Sequence, residues 1–80
     1  MPGSLIKHKN NNTLHIVKGD YSYLHGRFNG GCNFHDLCLY DLNERGEIIN
    51  QSAWHNINDF VLVDLPKQKY FDKITEYDQK

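Results

Sequence analysis

Short apolar, β-branched and aromatic runs separated by turn signals every eight to twelve residues occupy the chain up to residue 64, and helical spacing appears only after Pro66. Leu5-Ile6-Lys7-His8-Lys9 and Thr13-Leu14-His15-Ile16-Val17 read as two strands joined by Asn10-Asn11-Asn12, because Asn tolerates the left-handed backbone of a tight turn. Gly19-Asp20 breaks the pattern. Between Tyr21 and Phe28, alternation puts Tyr21, Tyr23 and His25 on one face, and Asn29-Gly30-Gly31 is the strongest breaker in the chain. Leu37 to Leu42, Asn43-Glu44-Arg45-Gly46 and Glu47 to Asn50 predict a β-hairpin, with Gly46 supplying a positive φ late in its turn. Gln51 to Asn58 is polar apart from Ala53, Trp54 and Ile57, and is expected to wrap an edge of the sheet. Asp59 to Asp64 reads as the last strand, closed by Leu65-Pro66. Tyr70, Phe71, Ile74 and Tyr77 stand at i, i+1, i+4 and i+7, which predicts a short amphipathic helix over 67–78.

Eighty residues make one small domain, 1–80, with residues 1–4 expected to be disordered or an expression remnant. A globule of this length buries only about 60% of its unfolded surface, so its core is thin. Short strands with frequent turns predict a mainly β fold: a five- to six-stranded SH3-like barrel with a short C-terminal helix. Closure would remove edges that so short a sheet cannot otherwise protect. The competing architecture is a strongly bent, open antiparallel sheet with the helix across one face.

A net charge of −1 argues against a protein built mainly to neutralise phosphate. The charges are unevenly spread. Lys7, Lys9, Lys18 and Arg27 face only Asp20 in residues 1–35, whereas residues 36–64 hold six carboxylates against Arg45. Such two-signed character suits protein contacts. With no apolar leader after Met1 and no run of membrane-spanning length, the expected location is the cytoplasm, where Cys32 and Cys38 would be free thiols.

The densest candidate chemistry is His25, Cys32, His35 and Cys38. These are zinc-type ligands, but zinc modules present them as two close couples across a longer loop. In an extended segment, His35 and Cys38 point to opposite faces and cannot meet on one ion without a bulge. The reading is therefore no metal and no cofactor, with Cys38 as a small core hydrophobe. Cys32 as a nucleophile, with His35 and Asp36 close behind it, is a further candidate. Five histidines leave room for a small His-dependent hydrolase or nuclease, with His8 and His15 facing each other across the first hairpin. Lys7, Lys9 and Arg27 interleaved with Tyr23 and other rings suit a single-stranded nucleic-acid binder.

The preferred reading is a non-enzymatic protein-binding module or modulator. Its contact surface would draw on Tyr21, Tyr23, His25, Arg27, Phe28, Phe34, His35, Tyr40 and Trp54, since rings beside charges make interface anchors. A protein partner is expected, a homodimer is an option, nucleic acid is the runner-up partner, and no membrane is involved. Ile6-Lys7-His8-Lys9-Asn10, Leu14-His15-Ile16-Val17, Leu37-Cys38-Leu39-Tyr40, Trp54 and Phe60-Val61-Leu62 together resemble a pattern in short uncharacterised bacterial and phage proteins with SH3-like barrels. Residues 18–36 have no counterpart in that pattern. The resemblance implies the barrel and a phage or mobile-element setting; it implies no activity and no ligand.

Overall fold

The computed structural model describes residues 2–20 and 37–79. They form five strands, β1 (Leu5–His8), β2 (Leu14–Asp20), β3 (Leu37–Leu42), β4 (Ile48–His55) and β5 (Phe60–Asp64), and a C-terminal helix, α1 (Gln68–Asp78). The strands make one antiparallel sheet in the order β4-β3-β2-β1-β5. β1 to β4 run as a meander, and β5 returns to the free side of β1. None of the helices among the described residues is long and apolar enough to cross a membrane.

Both expected hairpins form for the predicted reasons. Asn12 takes φ 57°, and its N–H donates to the His8 carbonyl at 3.0 Å, which closes the β1–β2 turn. In the β3–β4 turn Gly46 has φ 81°, and the Asn43 side-chain oxygen accepts from the N–H of Arg45 and of Glu47. Satisfying those two donors within the turn lets it stand in water without further packing.

β4 departs from the expectation. Gln51 to His55 do not wrap an edge; they continue the strand, pairing Tyr40 with Gln51, Leu39 with Ser52 and Leu37 with His55. The register shifts between Leu37 and Leu39. A bulge there breaks the period-two pattern, which hides the strand from a reading based on alternation. Ahead of β1, Gly3 and Ser4 are buried and continue its pairing with β2. Gly3 N–H donates to the Val17 carbonyl at 2.8 Å, and Val17 N–H to the Ser4 carbonyl at 2.9 Å.

Gly3 is also pinned sterically. Its φ is +88°, and a Cβ there would lie 2.6 Å from Cζ of Phe71 on α1. Gly3→Ala should therefore lower the unfolding free energy by about 1–2 kcal/mol, the cost of left-handed backbone plus ring displacement. Chemical denaturation of the two proteins checks this.

The sheet buries residues on both faces. On one face, Ile16, Tyr40 and Ile48 pack beneath Tyr70 of α1, with Ile74 and Tyr77 beside it. Asp64, at the end of β5, ties the helix down by accepting from the Tyr70 hydroxyl at 2.6 Å and from Lys67 Nζ at 2.8 Å. On the other face, Ile6, Val17, Leu39 and Phe60 form a second cluster. Four strand spacings in a flat sheet would separate β4 from β5 by about 19 Å. Yet the last residue of β4, His55, has its ring 5.8 Å from that of Phe60, the first residue of β5. A 3-10 turn (Ile57–Asp59) covers the gap, so the sheet bends sharply around the Ile6–Leu39–Phe60 side. No ladder joins β4 to β5 among the described residues, and the sheet is open where a closed barrel was expected.

Candidate functional site

Two features stand out on this frame, a polar cluster inside the bend and an apolar edge beside it. The cluster forms because β1, β2 and β4 each place a histidine toward Phe60. Ring centroids of His8, His15 and His55 lie 5.0, 5.5 and 5.8 Å from that of Phe60, each set edge-on at 84–86°. Edge-on contact is the arrangement aromatic quadrupoles favour.

Hydrogen bonds fix which nitrogen of each ring carries the proton. His8 Nδ1 lies 3.1 Å from the Asn10 N–H and 3.2 Å from the Asn11 N–H, so it accepts both and its proton sits on Nε2. Asp41, paired with His15 across β2–β3, accepts from His15 Nδ1 at 2.9 Å. The same carboxylate accepts from the Ser52 hydroxyl at 3.0 Å and the Asn50 amide at 3.2 Å. With its hydroxyl proton committed to Asp41, Ser52 accepts from His55 Nε2 at 2.7 Å. At the far end, the Thr13 hydroxyl donates to His15 Nε2 at 2.7 Å. Two chains of donors thus converge on Asp41, one from His55 through Ser52 and one from Thr13 through His15. Burial pushes the His55 imidazole below its ordinary pKa, and His15 and His8 add to that; Asp41 and Asp59 oppose it.

Thr13, His15 and Asp41 have the connectivity of a nucleophile, a base and its orienting group. Acyl transfer also needs donors free to hold an oxyanion beside the hydroxyl. The backbone donors preceding Thr13 are already used: Asn10 and Asn11 N–H go to His8 and Asn12 N–H to the His8 carbonyl. Among the described residues the network is satisfied from within, the Thr13 and Ser52 hydroxyls and both His15 ring nitrogens each bonded to a neighbour in the cluster.

The second feature is β5. Its ladder to β1 occupies one side, and no strand lies on the other side among the described residues. Val61, Leu62 and Val63 are 45%, 57% and 49% exposed, with Ile57 and Leu65 exposed at either end. Carboxylates at Asp59 and Asp64 bracket this run, and it contains no basic residue. An edge of this kind presents a row of unpaired backbone groups to any extended chain.

Of the residues expected to bind a partner, Tyr21, Tyr23, His25, Arg27, Phe28, Phe34 and His35 lie outside the described residues. Trp54 falls within β4. Tyr40 was expected on the contact surface, but it is 2% exposed beneath α1, where burial and a hydrogen bond to Asp78 push its phenol up to about 12. Of the four candidate metal ligands only Cys38 is described, and it is buried in β3. His8 and His15 do not face each other: His15 pairs with Ile6 and His8 with Phe60, and the two rings meet only through Phe60. Sequence reasoning missed the Asp41–Ser52–His55 arm and the β5 edge. The second had a visible signal, four consecutive apolar residues between two carboxylates.

No family model, curated protein or solved structure matches the chain.

Proposed function

We propose that this protein is a non-enzymatic, cytoplasmic protein-binding module that takes an extended segment of a partner protein alongside β5. The observation that carries the reading is the outer side of β5, which no strand pairs among the described residues, with Val61, Leu62 and Val63 about half exposed. Strand addition supplies affinity through main-chain hydrogen bonds and selectivity through alternate side chains. Charge argues for the partner's character: the run holds no basic residue and begins beside exposed Asp59, which favours an apolar strand with a terminal Lys or Arg, whereas Asp64 at the other end is already paired with Lys67. A second copy fits less well. Antiparallel self-pairing centred on Leu62 would set Asp64 against Phe60 of the other copy. A five-residue strand also buries far less than the roughly 800 Å² per partner of a stable interface, while a short peptide needs no more than the edge.

Strand order supports the SH3-like reading of the bent sheet, since a meander of four strands followed by a 3-10 turn and a fifth strand beside the first is compatible with that architecture. Among the described residues the sheet is one ladder short of closing into a barrel.

The test uses a labelled peptide of alternating Val and Thr with Lys at both ends, and the same peptide with Glu ends. Fluorescence polarisation should show the Lys-ended peptide binding at least tenfold tighter, a difference of about 1.4 kcal/mol. Leu62→Lys should abolish that binding while shifting the unfolding free energy by less than about 0.5 kcal/mol, because the site is exposed. Equal binding by wild type and the Leu62→Lys variant, or no binding of either peptide, would remove β5 as the docking edge.

A further inference from the structure

Phe60 is both the first residue of β5 and the centre of the histidine cluster, so the two features share one residue. We propose that His8, His15 and His55 form a pH-sensitive latch on Phe60: neutral rings hold the start of β5 in the sheet, and mild acid releases it and with it the docking edge. The idea rests on the β5 reading for its consequence, though not for its test.

The geometry requires neutral rings at two of the three positions. His8 accepts two backbone N–H groups at Nδ1, so a proton on that atom removes both bonds and frees the Asn10–Asn12 turn. His55 lies against Phe60 with its Nε2 engaged by Ser52, and burial disfavours its charged form. His15 is different, because Asp41 accepts from it whether the ring is neutral or charged. Among the described residues, the charged and titratable groups facing the cage are His8 from β1, His15 from β2, Asp41 from β3, His55 from β4 and Asp59 from the 3-10 turn. Two charged imidazoles beside His15 would repel one another around a benzene ring that offers no counter-charge, while Asp41 is already engaged by His15, Ser52 and Asn50.

The sign follows from linkage. His55 has a folded-state pKa below its unfolded value, so the opened form binds more protons. Stability of the latch is present above about pH 6.5, the unperturbed histidine value, and falls as the pH drops below it. The other end of β5 does not share this sensitivity. Lys67 and Tyr70 hold the Asp64 carboxyl down to about 2, and Asp64 in turn holds the Tyr70 phenol up to about 12. Asp64 and Tyr70 thus keep their ionisation states between pH 5 and 8, leaving α1 seated while the Phe60 end opens.

Amide hydrogen exchange of the free protein tests the latch without any partner. Protection factors of those amides among residues 60–63 that are protected at pH 7.5 should fall below pH 6.5, by up to about tenfold per pH unit, the limit for one proton taken up on opening, while those of β2 and β3 change far less. His8→Asn keeps an acceptor where Nδ1 stood, and His55→Gln keeps a donor where Nε2–H stood; together they should flatten the pH profile at residues 60–63. Equal loss of protection across β2, β3 and β5 would mean general acid destabilisation and overturn the latch. So would a flat wild-type profile, or an unchanged profile in the double variant. Failure of the Lys-ended peptide to bind at pH 7.5 would remove the docking reading and leave this result standing.

Discussion

Leu39→Ala should cost about 3–4 kcal/mol, and thermal unfolding should shift down by some 15–25 °C. Leu39 is fully buried in β3 and packs with Ile6, Val17 and Phe60 on the bent side of the sheet. Removing three carbons there forfeits their transfer free energy and leaves a cavity, because strands on both sides of β3 hold the walls apart. A domain of this size holds about 4–12 kcal/mol in all, so the variant would sit near the limit of folding at body temperature. Leu62→Ala, the same change of side chain at an exposed site on β5, should cost under about 1 kcal/mol. Equal losses at the two positions would contradict the assignment of inside and outside.

Asp41→Ala is the second large effect, about 2–3 kcal/mol by chemical denaturation. The carboxylate is the acceptor on which His15, Ser52 and Asn50 converge. Asn50 is exposed and turns to water at little cost, but the buried His15 Nδ1–H and the Ser52 hydroxyl lose their partner. Each stranded donor is worth about 1–3 kcal/mol, reduced here because the Asp41 side chain is 23% exposed and water can enter. Asp41→Asn should cost roughly half as much, since one oxygen can still accept and His15 can change tautomer. Ser52→Ala, measured alongside, should cost less again, because it strands only His55 Nε2–H. If Asp41→Ala were neutral, the convergence on Asp41 would be an incidental surface pair.

Those two positions also show where the chain could be read directly. Val17, Leu39 and Phe60 announce themselves as members of short apolar runs bounded by turn signals, and the Tyr70–Ile74–Tyr77 stripe by helical spacing. Both signals are local, and both describe what the structure contains. Asp41 carries no such mark. Its partners come from β2 and β4, and they meet only after the register is set and a bulge has restored Ser52 to the face of Leu39. Tyr40 illustrates a different limit. Alternation shows that it faces away from Leu39, but not that α1 would cover that face and bury it. Phe71 reverses the case: it belongs to the helical stripe in sequence, yet it lies at the edge of the helix contact, over Gly3. The histidine cage was least legible of all, because it depends on β5 returning to β1 and bringing Phe60 between three strands.

The edge of β5 was present in the sequence as Phe60 to Val63 between two carboxylates, though nothing local says whether such a run ends inside a sheet or at its border. That distinction carries the functional reading, and backbone exchange resolves it. In the protein at pH 7.5, amide exchange should be measured residue by residue across β5, with and without a saturating amount of the Lys-ended peptide. Those amides of residues 61–64 that point away from β1 should exchange quickly when free and should gain protection on binding, while those of β2 and β3 stay unchanged. Uniformly slow exchange of every β5 amide in the free protein, or peptide-induced protection confined to other strands, would contradict an open β5 edge as the binding surface.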